Sequence, residues 1–241
     1  MPTAVLVDGA YFIKRFRRIE PQNAYNAERA ADLVHRWAIS HLSSVQSKAN
    51  GSPTDRRLKP QRRDLYRIFF YDCPPLDIKH HNPITKKAVD FSKSKEALFR
   101  VELHARLRTK RKLALRLGHL SKGVRWTIKP EKISALLKGD IQILDLGADD
   151  VSLETRQKGV DMRIGVDVAS LSFKKQVDQI VLVAGDADFV PAAKMARREG
   201  VDFILDPMWQ SIPEGLMEHI DGLRSTCPKP ALKPRETALD V

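Results

Sequence analysis

The chain has 241 residues, of which 42% are hydrophobic, so it can bury a full core as one large domain or as one domain with an insertion. Lysine and arginine outnumber aspartate and glutamate by 42 to 30, and this formal net charge of +12 favours a polyanionic partner, nucleic acid before an anionic membrane surface. Two cysteines exclude a disulfide framework and a four-cysteine zinc site, and no stretch has the roughly 20 apolar residues that cross a bilayer.

The charge leaves one alternative open, a basic protein that has no polyanionic partner. The apolar run near the N-terminus is short and is broken by Asp8, which differs from a signal peptide. We therefore expect a cytoplasmic protein that has reduced cysteines and no membrane partner.

The first part of the chain predicts two buried strands and one helix. Residues 4–7 form a continuous apolar run, typical of a strand in a parallel sheet with both faces covered. Residues 28–45 carry apolar side chains at helical spacing, and the polar, basic segment 47–63 predicts a loop. Residues 66–71 predict the second strand.

The middle of the chain is strongly basic. Residues 79–123 are mostly helical in pattern, and 124–128 and 141–146 are weaker strand candidates on either side of a short helix. We expect one domain over residues 1–227, with this basic, mostly helical enlargement at about 79–150.

The last part alternates helices and strands. Residues 160–173 and 189–199 predict helices, and residues 180–183 and 201–205 predict buried strands. A last helix is predicted at 213–223.

Strands thus alternate with helices almost throughout, which predicts an α/β sandwich around a mainly parallel sheet. The tail over residues 228–241 is rich in proline and polar residues, so we expect it to be disordered.

Two acids follow the apolar strands. Asp8 comes directly after residues 4–7, and Asp186 comes just after 180–183. In open parallel sheets, ligands bind beyond the carboxyl ends of the strands. If these two strands are neighbours, their carboxylates repel each other unless a proton or a cation lies between them. Mg²⁺ and Mn²⁺ prefer oxygen ligands, so the pattern indicates a divalent-metal site for a phosphate substrate.

Further acids are candidates for the same site. Asp161 lies in the first turn of a predicted helix, and Asp188 lies at the turn into the next one, although each is also suited to capping or to the helix dipole. For Asp8 the alternative is an Asp-Gly turn that only ends a strand. Asp167 follows Asp161 by six positions and should point about 120° away from it. Asp72, after the second strand, is a possible outer member.

Four motifs resemble the NYN domain family, the LabA-like branch of the PIN-like ribonucleases, over roughly residues 3–206. The KGVD and GDxDF blocks together are specific, whereas the first DG alone is weak. The motifs are VLVDGAYF (residues 5–12), RIFFYD (67–72), KGVDMRIGVD (158–167) and LVAGDADFVPAAKMARREG (182–200).

The resemblance implies a PIN-like three-layer α/β/α sandwich with a mainly parallel central sheet, and an acidic pocket that binds Mg²⁺ or Mn²⁺ and hydrolyses RNA. Two positions depart from the family pattern: Tyr11 stands where Asn is frequent, and Ala184 where Ser is frequent. By motif position, the matched acids are Asp8, Asp161 and Asp186 as the core set, with Asp188 as the accessory acid.

We therefore expect a metal-dependent ribonuclease, more specifically an endoribonuclease acting on single-stranded or structured RNA. The core acids would hold a metal that orients and deprotonates a water for in-line attack, and Asp188 would hold a second metal or position the water. Two rivals stay open: a non-catalytic or regulatory RNA-binding module, and an enzyme that cuts DNA or a phosphomonoester. The oligomeric state is also open, and a dimer is one option.

Basic residues are the candidates for binding an RNA backbone. The alternative for all of them is that they are solvated charges on the protein surface. Phosphate contacts would give little sequence choice and a steep salt dependence. A second basic patch contains Arg56, Arg57, Arg62 and Arg63. The main RNA-binding candidates are Lys158, beside the KGVD motif, and Arg106, Arg108, Lys110, Arg111, Lys112 and Arg116.

Overall fold

The computed structural model describes residues 2–43, 62–121, 123–155 and 157–230. The strands are β1 (Thr3–Asp8), β2 (Leu65–Asp72), β3 (Lys79–His81), β4 (Ala88–Asp90), β5 (Leu113–Leu117), β6 (His119–Leu120), β7 (Arg125–Ile128), β8 (Val151–Glu154), β9 (Gln157–Lys158), β10 (Gln179–Val183), β11 (Asp202–Asp206) and β12 (Gly222–Leu223). The helices are α1 (Gly9–Ile19), α2 (Ala27–Ser40), α3 (Lys95–Thr109), α4 (Pro130–Lys138), α5 (Val160–Phe173), α6 (Val190–Arg198) and α7 (Glu214–Met217).

Six of these strands form a central sheet in the order β12-β11-β10-β1-β2-β5, and every neighbouring pair is parallel. Successive side chains of β1 point to opposite faces, so both faces are apolar. Val5 and Val7 pack in one core with α1, α2 and α3, while Ala4 and Leu6 pack in the other with α5 and α6. The prediction of a three-layer α/β/α sandwich with a parallel sheet is therefore confirmed.

Strand β1 lies at the middle of the sheet, between β10 and β2. Val7 is level with Val183 of β10 and with Phe70 of β2. The loops that follow β1 and β10 therefore leave the same edge of the sheet side by side, since neighbouring strands are about 4.8 Å apart. We call this the carboxyl edge, and it brings Asp8 near the loop that contains Asp186.

Gly9 is required by the way in which α1 starts at this edge. A Cβ atom on Gly9 would lie 2.5 Å from the Tyr71 carbonyl oxygen and 2.7 Å from the Phe70 ring. Backbone atoms of a central strand cannot move to make room, so only glycine lets α1 begin this close to β2. The Asp-Gly pair is thus a strand ending and a helix start together.

The middle segment differs from its predicted helical pattern. Over residues 79–123, the described helix of α type is α3, and residues 113–117 form β5, which pairs with β2 as a parallel strand of the central sheet. Lys112, with a φ of 57°, turns the chain between the two. The predicted strand at 124–128 is confirmed as β7, but 141–146 contains a 3₁₀ turn (Ile143–Asp145) instead of a strand.

The ends of the chain show two further differences. Helix α1 was not predicted, although it buries Phe12, Ile13 and Phe16 on one face. The predicted helix at 213–223 is reduced to the four residues of α7, because Gly222 and Leu223 pair with β11 as an edge strand.

Some predictions fall on residues that the structure does not describe. Most of the predicted loop at 47–63 lies within residues 44–61, and most of the predicted tail lies within residues 231–241. Within the described ranges, each helix is too short or too polar to cross a bilayer.

Candidate functional site

Asp8 ends β1 and caps α1. Its Oδ1 accepts a hydrogen bond of 3.2 Å from the Tyr11 backbone N–H, which orients the carboxylate at the carboxyl edge. The side chain is half-buried, and burial raises its pKa to about 6; the negative charges of Asp161 and Asp72 contribute in the same direction. Asp8 is therefore a carboxylate in an environment that disfavours its own charge.

The other predicted acids lie on the loop after β10 and in the first turn of α5. Asp186 caps the 3₁₀ turn Ala187–Phe189, and its Oδ1 accepts a hydrogen bond of 3.1 Å from the Asp188 N–H. Asp161 lies in the first turn of α5, two residues after Gly159, which precedes the helix and has a φ of 78°. Burial raises the pKa of Asp161, and so do the charges of Asp186 and Asp188. The charge of Asp161 thus acts on Asp8, and the charges of Asp186 and Asp188 act on Asp161.

We call Asp8, Asp161, Asp186 and Asp188 the acid cluster. Within the described part of the chain, none of these acids pairs with a Lys, Arg or His side chain. Their mutual repulsion therefore has no protein counter-charge. Capping does not remove this repulsion, because the capping partners are neutral N–H groups. The arrangement favours a bound cation.

The donor chemistry of the acid cluster fits a hard divalent cation. Considering only the described residues, no three His, Cys, Asp or Glu side chains lie close enough together to hold a metal ion. A magnesium site does not require such a group, since Mg²⁺ is usually bound by one or two carboxylates together with waters and substrate phosphates. Carboxylate oxygens without a cationic partner are suitable ligands for that kind of open site.

Asp72, the possible outer member, has a different role. Its side chain is completely buried, and it accepts hydrogen bonds from Arg100 and, at 2.8 Å, lies beside Nε2 of His104. Both partners belong to α3, so Asp72 fastens that helix to the end of β2. It acts on the acid cluster only as a nearby charge.

Asp167 lies away from the acid cluster, as predicted from its helical position. Its carboxylate accepts a hydrogen bond of 2.8 Å from the Tyr71 hydroxyl and lies 3.2 Å from Nε of Arg116. The charge of Arg116, one of the RNA-binding candidates, is thus already partly neutralised.

Asp206 also ends a strand of the sheet, but it belongs to the core. Its Oδ2 lies 2.9 Å from Nε2 of His41, and its Oδ1 accepts a hydrogen bond of 2.8 Å from the Met208 N–H. Because the pair is buried, Asp206 stabilises the loop after β11 and is not available to a ligand.

Most of the main basic segment lies at the other end of the sheet, whereas Arg116, near the end of β5, is level with Tyr71 towards the carboxyl edge. Residues 110–112 precede β5, and β5 runs parallel to β1, so they lie at the amino edge, opposite the acid cluster. Lys110 pairs with Asp32, and Nη2 of Arg106 lies 2.9 Å from Glu102. Arg108 and Arg111 are exposed on this segment, while Lys158 is exposed beside the start of α5.

The predicted second basic patch is described only in part. Arg56 and Arg57 lie outside the described residues. Arg63 lies 3.2 Å from Asp178, again with a carboxylate partner.

An open cleft of about 800 Å³ adjoins the acid cluster and was not predicted. Asp8 and Asp186 lie at one end of it, and α1 forms one wall. The sequence signal was present, because the α1 residues that face the cleft recur at helical spacing directly after Asp8. These residues are Tyr11, Lys14, Arg15 and Arg18.

The opposite wall is the loop after β11, and Arg15 holds it in place. Nε and Nη2 of this buried arginine donate to the Met208 carbonyl at 3.1 and 2.5 Å, and Nη1 donates to Oε1 of Gln210 at 2.8 Å. Met208 and Trp209 have φ values of 46° and 64°, a strained conformation for residues other than glycine. Such strain persists only where surrounding contacts enforce it, so the shape of this wall depends on Arg15.

Tyr11, where the family often has Asn, connects three loops of the site. Its hydroxyl donates a hydrogen bond of 2.6 Å to the Pro207 carbonyl, and its backbone N–H donates to Oδ1 of Asp8. A Cβ atom on Gly185 would lie 2.6 Å from the Tyr11 ring. The loops that follow β1, β10 and β11 therefore pack around this one side chain.

We expect Gly185→Ala to destabilise the protein by about 1–3 kcal/mol, since the added methyl group overlaps the Tyr11 ring. In a Tyr11→Ala background the same substitution should cost much less, because the ring is absent. Urea unfolding of the two single variants and the double variant measures this coupling. Additive effects would show that the ring and the glycine do not constrain each other.

The C-terminal part of the chain matches a known family model. The NYN domain model matches residues 126–221, which include Asp161, Asp186 and Asp188 but not Asp8. A crystal structure of a protein of unknown function from Vibrio parahaemolyticus aligns over 93% of this chain and 91% of its own, with 16% identity and a TM-score of 0.43. No curated protein gives a significant match. Residues 126–221 of this chain thus match the NYN domain of the PIN-like superfamily, whose members are generally nucleases that act on nucleic acid.

Proposed function

We propose that this protein is a divalent-metal-dependent ribonuclease that hydrolyses RNA phosphodiester bonds at the carboxyl edge of its sheet. The observation that supports this most is the acid cluster, which has no cationic partner among the described residues and lies beside an open cleft. Within a family of nucleases, such a cluster suits metal-assisted hydrolysis. An endonucleolytic cut, RNA rather than DNA, and a cytoplasmic location stay predictions.

The side chains have distinct roles in this proposal. A divalent cation, either Mg²⁺ or Mn²⁺, would when bound lower the pKa of a water molecule and offset charge on the phosphate. Asp8 and Asp186 line the cleft and would be its main ligands. Asp161 would add negative charge that strengthens the binding of the cation, and Asp188 would orient the attacking water. The hydrogen bond from Tyr11 holds Asp8 in one orientation throughout.

The test is cleavage of a labelled single-stranded RNA by the purified protein in Mn²⁺ or Mg²⁺, with and without a chelator. We expect cleavage only with metal, and Asp186→Asn should reduce the rate by at least about 100-fold, since a carboxylate ligand of the cation is lost. A circular RNA distinguishes endonucleolytic from exonucleolytic action, and a DNA of the same sequence tests the choice of sugar.

The matched control is Asp140→Asn, which makes the same chemical change at an exposed aspartate just after α4. It should cleave as the wild type does. RNA that stays intact at high protein concentration, or equal rates for Asp186→Asn and the wild type, would contradict the proposal. Salt-sensitive binding without any cleavage would instead support the alternative of an RNA-binding module.

A further inference from the structure

We propose that Lys14 and Arg18 form a phosphate-binding wall that guides a single nucleic-acid strand along the cleft to the acid cluster. This inference rests on the proposed function in one respect only, namely that the ligand is a phosphodiester chain. It assigns the binding of the substrate backbone to α1, and not to the basic segment before β5.

The first observation is that these two cations are free. Both side chains are exposed, and within the described ranges neither one makes an ion pair or a hydrogen bond. In the most basic segment of the sequence, by contrast, Arg106, Lys110 and Arg116 each have a carboxylate partner, and the exposed Arg108 and Arg111 lie away from the cleft. A free cation can bind a phosphate without first breaking an existing pair.

The second observation is their spacing along α1. Lys14 and Arg18 are four residues apart, so they lie on one helix face, separated by about 6 Å along the axis. This separation is comparable to that of neighbouring phosphates in an extended strand. Lys14 follows Asp8 by six residues, about 9 Å along the axis, so the two cations lead away from the acid cluster. Each can contact one phosphate of a strand whose scissile bond lies at Asp8.

The third observation is the difference between the walls of the cleft. The wall opposite α1 contains Gln210, Ser211, Ile212 and Pro213, which carry no charge. One cationic wall and one neutral wall suit a single strand, with its backbone against α1 and its bases against the loop. Arg15 holds that loop, so the cleft is already shaped in the free protein.

The experiment measures binding and not cleavage. A fluorescent oligouridylate is titrated into the Asp186→Asn protein with a chelator present, at several salt concentrations. We expect Lys14→Ala/Arg18→Ala to weaken binding by roughly tenfold or more and to lower the slope of log K against log salt by about 1.4, since each lost phosphate contact lowers it by about 0.7. Duplex RNA should bind more weakly than the single strand.

The matched control is Lys174→Ala/Arg198→Ala, which removes one lysine and one arginine at the amino edge. Both are exposed, at the C-terminal ends of α5 and α6. Equal losses of binding affinity in the two double variants, or an unchanged salt slope, would contradict the proposed phosphate-binding wall. The absence of any binding by the Asp186→Asn protein would contradict it as well. Wild-type protein that binds through α1 but never cleaves would contradict the proposed function and leave the wall intact.

Discussion

Asp8→Asn should strongly reduce metal-dependent cleavage and, in metal-free buffer, make the protein more stable. Burial raises the pKa of Asp8 to about 6, against an ordinary value of 3.8, so the folded protein opposes the charge on which the proposed chemistry depends. Asparagine removes that charge but keeps the capping bond, because its side-chain oxygen can still accept the Tyr11 N–H. We expect a rate at least about 100-fold lower.

The gain in stability has a defined pH dependence. Because the folded pKa of Asp8 is the higher one, the folded wild type binds a proton more tightly than the unfolded chain does. Wild type and variant should therefore be equally stable below about pH 4, where the carboxyl is neutral in both states. The variant should gain between about pH 4 and 6, and reach an advantage of about 1–3 kcal/mol near pH 7.

Urea unfolding of both proteins from pH 4 to 7.5 with a chelator measures this difference. The control is Asp8→Ala, which removes the charge and also the cap, so it should gain about 1 kcal/mol less than Asp8→Asn. Added Mn²⁺ should stabilise the wild type more than Asp8→Asn, because only the wild type keeps this carboxylate as a ligand. If Asp8→Asn were less stable than the wild type at pH 7, the folded protein would not disfavour the charge on Asp8, contrary to our expectation.

Asp72→Ala should destabilise the protein by about 3–5 kcal/mol, the largest loss of stability that we expect from any single charge. The carboxylate is completely buried and pairs with Arg100, itself mostly buried, and with His104. Removal of Asp72 leaves the guanidinium of Arg100 in the interior without its main counter-charge. The contact between α3 and β2 also loses the ion pairs that Asp72 makes with α3.

The measurement is again the free energy of unfolding in urea. Asp167→Ala is the control, because that aspartate pairs with the half-exposed Arg116 and accepts a hydrogen bond from the Tyr71 hydroxyl, so its loss should cost only about 1–2 kcal/mol. A double variant, Asp72→Leu/Arg100→Met, should recover much of the lost stability, since it removes both charges together. If Asp72→Ala cost as little as Asp167→Ala, the pair would be irrelevant to folding.

Local patterns predicted most of the central sheet. The apolar runs at 4–7 and 180–183 identified its two middle strands, because a strand covered on both faces needs a continuous apolar stretch. The same runs placed Asp8 and Asp186 at one edge. Residues 113–117 were not recognised, since a short edge strand in a basic segment has no such pattern, and its partner β2 lies far away in the sequence.

The positions and the ion-pair partners of the basic residues could not be predicted from the sequence. A dense run of Lys and Arg indicates affinity for polyanions, but not which end of the sheet the run occupies or which acids neutralise it. Those acids, such as Asp32 for Lys110, come from other elements. The cleft was missed for a similar reason, because Tyr11 and Pro207 that help to form it are 196 residues apart.

The sequence by itself determined the layered fold and the middle strands and predicted the acid cluster, because these depend on apolar periodicity and on residues next to a strand end. Tertiary structure alone decided which charges are free. Asp72 and Asp167 have partners from distant segments, while Asp8 and Lys14 do not within the described chain. Pairing depends on long-range packing, and no local pattern encodes it.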